Sequence, residues 1–226
     1  LNIGALIFQR FQSDICEKSD VERLADQYPV ELAYGLALIN CRHRFSLSPP
    51  WVLRNYPEVE RVMFNLRNKP CLVGCTYCHQ NLDIFRGLKT FFGFDGYRSY
   101  GGEPLQEKAV RAAVQNRSLL AIFPTGGGKS ITFQVPALMS GQSMKALTVV
   151  ISPLQSLMKD QVDNLERAGI TEAVTINGLL DPIERAKSFE RVEDGSAFLL
   201  YISPESLRSK TIERLLLGRK IARFVV

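Results

Sequence analysis

The sequence predicts an α/β protein built on a parallel, doubly wound sheet, preceded by a smaller, mainly helical segment. Three observations carry this expectation. From Leu119 to the end, short apolar runs alternate with helical stretches in the order strand, helix, strand. Runs such as Ser118-Leu-Leu-Ala-Ile-Phe123 and Thr148-Val-Val-Ile151 are continuously apolar, as strands covered on both faces are. Between the first run and its helix lies Phe123-Pro-Thr-Gly-Gly-Gly-Lys-Ser130, a glycine-rich loop that opens a helix.

The chain has 226 residues, of which 46% are hydrophobic. That is enough for one substantial core and a smaller unit. The net charge is +5 and the isoelectric point is near 9.0. The first forty residues are net acidic, and residues 41–98 carry most of the positive excess. That middle stretch is the candidate surface for a polyanion, with an ordinary solvated basic face as the alternative. No apolar run is long enough to span a membrane, and the N-terminus lacks a signal-peptide pattern, so a cytoplasmic location is expected.

Residues 1–70 read as a helical segment, the tail of something longer upstream, with little chemistry in the first forty. Val21, Leu24 and Ala25, then Leu32, Leu36 and Ile39, recur at helical spacing on either side of Pro29, predicting two short helices. Ser46–Tyr56 opens with a turn and starts another helix at its prolines. Val59, Val62, Met63 and Leu66 line one face of a helix over Glu58–Arg67. Basic and aromatic residues alternate there (Trp51, Arg54, Tyr56, Arg61, Phe64, Arg67), which suits either a plain helical domain or a small DNA-binding unit.

Residues 71–84 form a cysteine-rich turn. Three of the five cysteines, Cys71, Cys75 and Cys78, bunch around Gly74, too tightly for a disulfide framework. Thiolates at these spacings can converge on one ion, and structural zinc is the expected occupant. Cys41 or His43 are the candidates for a fourth ligand, because His79 adjoins Cys78 too closely to share its metal. Buried thiols without metal are the plainer alternative. Cys-x-x-x-Cys-x-x-Cys, with Gly101-Gly102-Glu103-Pro104 further on, also resembles the iron–sulfur motif of radical S-adenosylmethionine enzymes. The strand–helix alternation after Glu103 speaks against a barrel of that kind.

The loop at 123–130 follows the order strand, glycine loop, Lys-Ser, helix, which is that of a phosphate-binding loop. Gly126, Gly127 and Gly128 let the backbone wrap a phosphate, and the helix N-terminus adds positive potential. Lys129 can reach the β- and γ-phosphates, and Ser130 can place its hydroxyl on Mg²⁺. Phe123 replaces the glycine usual at the first position. The alternative is a glycine-rich turn that merely precedes a lysine.

Further strands are expected at Thr148–Ile151, Ala173–Asn177, Ala197–Ser203 and Ile221–Val226. Ser152-Pro153 reads as the start of one helix, and Asp181-Pro182 as the cap of another running to about Val192. Ligand should sit at the carboxyl ends of the strands.

Several of these blocks, in order, resemble the RecQ family of superfamily 2 helicases. Gly87-Leu-Lys-Thr-Phe-Phe-Gly-Phe94-Asp-Gly-Tyr-Arg98 looks like the aromatic-glycine-aromatic segment that leads to an arginine and then a glutamine in that family. Thr148–Gln161 and the Ser-Pro-Glu after Ile202 look like its next two blocks. The resemblance covers roughly residues 84–226 and implies that 85–226 is the first RecA-like lobe, incomplete at its C-terminus. It implies that Phe94 and Arg98 sandwich adenine while Gln106 hydrogen-bonds the base edge, although Ser99–Glu103 are added between arginine and glutamine. The ATP site would then comprise Phe94, Arg98, Gln106 and Pro124, Thr125, Gly126, Gly127, Gly128, Lys129 and Ser130, the last two catalytic. It implies contacts to single-stranded or duplex DNA from Ser152, Pro153, Gln161, Ser203, Pro204 and Glu205, and work in DNA repair and recombination. No Asp-Glu-Ala-His block occurs in these residues, so the chain as given is expected to bind nucleotide weakly without hydrolysing it. A phosphate-loop ATPase that does not unwind DNA is the alternative function.

Overall fold

In a computed structural model, residues 3–40, 52, 55–68, 70–71 and 74–226 are described. The turn and helix start expected over 46–56 lie largely outside them, as do Cys41, His43, Trp51 and Arg54.

The N-terminal layer contains α1 (Ile3–Phe11), α2 (Val21–Gln27), α3 (Pro29–Asn40) and α4 (Pro57–Arg67). Asp20 caps α2 by accepting the Arg23 N–H, and Pro29 opens α3, where a missing N–H costs nothing. Val21, Leu24, Leu32, Leu36, Ile39, Val59, Val62, Met63 and Leu66 close a core of their own. Arg67 differs from the basic face expected of it. It is buried, donating to the Asp14 carbonyl (2.8 Å) and the Ser143 carbonyl (2.9 Å).

Short helices α5 (Thr76–Asn81) and α6 (Ile84–Phe92) lead to α7 (Leu105–Val114) and α8 (Lys129–Met144). β1 (Leu147–Ile151), α9 (Gln155–Arg167), β2 (Ala173–Ile176), α10 (Pro182–Glu193), β3 (Leu199–Ile202), α11 (Lys210–Leu217) and β4 (Ile221–Val225) follow. Asp181 caps α10 as expected, accepting the Ile183 and Glu184 N–H groups at 2.8 and 2.9 Å.

The four strands form one parallel sheet in the order β2-β3-β1-β4. Successive residues point to opposite faces, and both faces are covered. Leu199 and Tyr201 pack with Leu138, Met158 and Val162 of α8 and α9. Leu200 and Ile202 pack with Val192, Ile212 and Leu215 of α10 and α11. This is the doubly wound arrangement, and it explains why the strands read as unbroken apolar runs. Gly141 lets α8 lie against the sheet, since a Cβ there would come within 2.1 Å of the Phe198 ring.

Two expectations are corrected. Ser118–Phe123 is not a strand, and Leu120 and Ile122 are 88% and 80% exposed. Apolar content favours burial, but a strand exists only by pairing, and no described strand pairs with this run. The helix after β1 begins at Gln155 rather than at Ser152-Pro153. The Ser152 hydroxyl instead accepts the Leu154 N–H (3.4 Å) in a turn ahead of the helix. Among the described residues, no helix is long and apolar enough to cross a membrane.

Candidate functional site

The glycine loop ends directly in α8. Gly128 is the N-cap in the left-handed region, φ 62°, and Gly126 has φ 73°. Gly127 is required for space, because a Cβ there would lie 2.8 Å from the Pro124 carbonyl oxygen. The Gly127 N–H donates to that carbonyl at 3.0 Å, which curls the loop. No side chain caps α8, so its first-turn N–H groups keep the donor character that suits an anion. Lys129 is exposed, with Nζ 3.4 and 3.3 Å from the Phe123 and Pro124 carbonyls, and Ser130 is half-buried in the first turn.

The arm between α6 and α7 docks on this loop. Gly93 ends α6 in the left-handed region, and Phe94 follows, 55% exposed, its ring nearly parallel to that of Phe92. Arg98 donates through Nη1 to the Gly126 carbonyl (3.3 Å). Gln106 is buried, and both ends of its amide are engaged. Oε1 accepts the Arg98 N–H at 2.7 Å, and Nε2 donates to the Gly127 and Gly128 carbonyls at 3.1 Å each. Both amide hydrogens are thereby used within the protein.

The added residues Ser99–Glu103 turn sharply. Tyr100 and Glu103 pair antiparallel across Gly101 and Gly102, which both take positive φ. Tyr100 donates its hydroxyl to the Gly127 carbonyl (2.5 Å) and sets its ring edge-on to Phe123. Tyr100 was missed in the sequence. The insertion was visible, but nothing in it showed which residue would reach the loop.

At the carboxyl edge of the sheet, Ser152 follows β1 and Ser203 follows β3. Ile151 is in register with Ile202, and the Ser152 N–H donates to the Ile202 carbonyl at 3.0 Å, so the two serines sit side by side. Ser203 is buried, its hydroxyl 3.0 Å from that of Ser206, while Pro153, Pro204 and Glu205 are exposed. Gln161 of α9 accepts from Gln134 of α8 at 3.0 Å, and Gln134 also donates to the Tyr201 hydroxyl at 3.3 Å. Burial pushes the Tyr201 hydroxyl up to about 12, so it stays protonated at neutral pH. The helix that carries the loop is thus hydrogen-bonded to the helix that follows β1.

Residues 103–226 match the DEAD/DEAH box helicase family. The chain belongs to this family. Its relatives place it on the RecQ branch. It is 44% identical over 132 residues to the ATP-dependent DNA helicase RecQ of Bacillus subtilis, covering 58% of this chain and 21% of that protein. It is 35% identical over 159 residues to the ATP-dependent helicase SGS1 of Saccharomyces cerevisiae, covering 68% of this chain and 10% of that protein. A RecQ from Synechocystis is 38% identical over 129 residues, 57% of this chain and 25% of that protein. The chain therefore spans a tenth to a quarter of the length of these relatives.

In this RecQ-type chain a second cluster precedes the matched region. Cys71, Cys75 and Cys78 converge as expected, and among the described residues the sulfur of Cys16 joins them as a fourth; Cys41 and His43 lie outside the described residues. All four are buried, with sulfurs within 4.8 Å of one another. The reading that the first forty residues carry little chemistry is corrected by Cys16, which stands alone in its stretch and offers no spacing signal. Burial works to raise the Cys71 thiol. Donors from Cys75, Cys78 and the Gly74 backbone outweigh it and bring the thiol down to about 7.

Proposed function

We propose that this chain is the nucleotide- and single-stranded-DNA-binding lobe of a RecQ-type, ATP-dependent DNA helicase. The observation that carries the reading is the convergence of Arg98, Tyr100 and Gln106 on the carbonyls of Gly126, Gly127 and Gly128. It joins a base-binding arm to a phosphate-binding loop. On this reading the loop N–H groups and Lys129 bind the phosphates, and Ser130 holds Mg²⁺. Arg98 stacks on adenine with Phe94 opposite it, since a guanidinium and a π-face both suit a flat base. Bound ATP supplies a γ-phosphoryl group whose presence or loss selects between two arrangements of the protein. Ser152 and Ser203, with the backbone at the ends of β1 and β3, hold DNA phosphates, and exposed Pro153, Pro204 and Glu205 border them. Gln161 aligns α9 through Gln134, linking the DNA edge to the helix behind the phosphate loop.

The test is phosphate release and strand separation by the full-length protein, with and without single-stranded DNA. Lys129→Ala should abolish ATP binding and both activities while leaving the thermal unfolding midpoint in place, because the lysine is exposed. Unchanged ATP affinity in that variant would refute the loop assignment. DNA-stimulated hydrolysis without strand separation would assign the alternative, a DNA-dependent ATPase that remodels or anneals.

A further inference from the structure

We propose that Cys16, Cys71, Cys75 and Cys78 hold one zinc ion in a closed, four-sulfur structural site that fastens the N-terminal helical layer to the far end of the phosphate-loop helix. The sulfur spacing selects the occupant. A tetrahedral ion with Zn–S bonds of about 2.3 Å sets its sulfurs about 3.8 Å apart, and these four already lie within 4.8 Å of one another. An iron–sulfur cube binds each thiolate through a different iron and spreads the sulfurs wider. The radical-enzyme pattern also needs three cysteines and an open iron, whereas Cys16 supplies a fourth sulfur.

The local chain is shaped to present thiolates. Gly74, at φ 83°, returns its N–H to the Cys71 carbonyl (2.9 Å). The Cys75 N–H donates to the Cys71 sulfur (3.2 Å), and the Cys78 N–H to the Cys75 sulfur (3.5 Å), where Cys75 is the N-cap of α5. The Cys71 N–H reaches the Cys78 sulfur at 3.5 Å, which lies 3.5 Å from the Cys16 sulfur. N–H···S donors of this kind stabilise ligand charge and fix ligand direction. On binding, each thiol releases its proton and the sulfur lone pair is donated to the metal.

The site's surroundings give it a mechanical role. The Cys16 N–H donates to the Leu66 carbonyl at 3.0 Å, and Arg67, the next residue, reaches both Asp14 and Ser143. Its guanidinium lies over the ring of Tyr77, between Cys75 and Cys78 in sequence. Ser143 is in the last turn of α8, where a cation suits the helix dipole. The ion therefore holds one end of α8 while the phosphate loop forms the other, about 20 Å away at 1.5 Å per residue. The site does not depend on the nucleotide reading, and its test needs no nucleotide.

The chain is purified in air without added metal and analysed for metal and acid-labile sulfide. The expected result is about one zinc per chain with neither iron nor sulfide. X-ray absorption on the same sample should count four sulfurs at about 2.3 Å, and cobalt(II) exchanged into the site should give the intense thiolate charge-transfer bands of a four-sulfur set. Cys16→Ser should lose most of the metal, Cys16→His should retain it with a shifted cobalt spectrum, and Cys41→Ser should leave it unchanged. Three sulfurs, an unchanged cobalt spectrum in Cys16→Ser, iron with sulfide, or metal-free disulfides would each overturn the proposal. The sulfur count on the unaltered chain decides the matter even if Cys16→Ser does not fold.

Discussion

Gln106 is where the structure makes its sharpest demand on the nucleotide site. Adenine recognition would require its amide to face a base. The structure instead uses that amide as a strut between Arg98 and the carbonyls of Gly127 and Gly128. Gln106→Ala removes three hydrogen bonds at a residue only 4% exposed. A net contribution of about 0.5–1.5 kcal/mol per bond makes the whole loss about 1.5–4.5 kcal/mol. The two bonds to the loop account for about 1–3 kcal/mol of it. If that part is lost as loop order, phosphate affinity falls by about 5- to 150-fold. A strut acts on the phosphates, so ATP and inorganic triphosphate should weaken by the same factor. Gln106→Glu should be worse for the loop than alanine, because a carboxylate oxygen would then face two carbonyls. Calorimetric titration of both ligands against both variants, alongside thermal unfolding, measures each part. Loss of ATP affinity with triphosphate binding intact would refute the strut and restore Gln106 as a reader of the base.

Arg98→Ala gives the complementary result. Its single 3.3 Å bond to Gly126 is a small part of loop order, so ATP should weaken more than triphosphate, and equal losses in the same titration would count against base stacking. Glu60→Gln tests the join between the layers. Glu60 of α4 is buried against Arg219, which precedes β4, at 3.0 Å, and removing its charge strands a buried guanidinium. Denaturant unfolding should show a loss of about 3–5 kcal/mol, and a loss below about 1 kcal/mol, as for exposed pairs, would mean that solvent reaches the pair.

What the sequence determined by itself is what depends on near neighbours. Gly126–Gly128 followed by Lys129 specifies a tight loop and a helix start, because glycine's freedom and an uncapped first turn are local properties. Asp181-Pro182 capped its helix as read, for the same reason. Val149, Val174 and Leu200 announced strands buried on both faces, since covering both faces leaves no polar alternation. What only the tertiary structure decided depends on partners far along the chain. Ser118–Phe123 has the composition of a strand, but pairing is a property of two segments, and no described strand pairs with it. Cys16 joins three cysteines some sixty residues away because α1, α2 and α4 pack its turn beside Leu66. Arg67 reads as one of a row of surface cations, yet packing turns it inward onto Asp14 and Ser143. The amide of Gln106 and the hydroxyl of Tyr100 are chemically free to meet a base, a phosphate or a backbone carbonyl. Only the fold brings the carbonyls of Gly127 and Gly128 within their reach, because hydrogen-bonding capacity is written in the residue and its partner is set by where the chain returns.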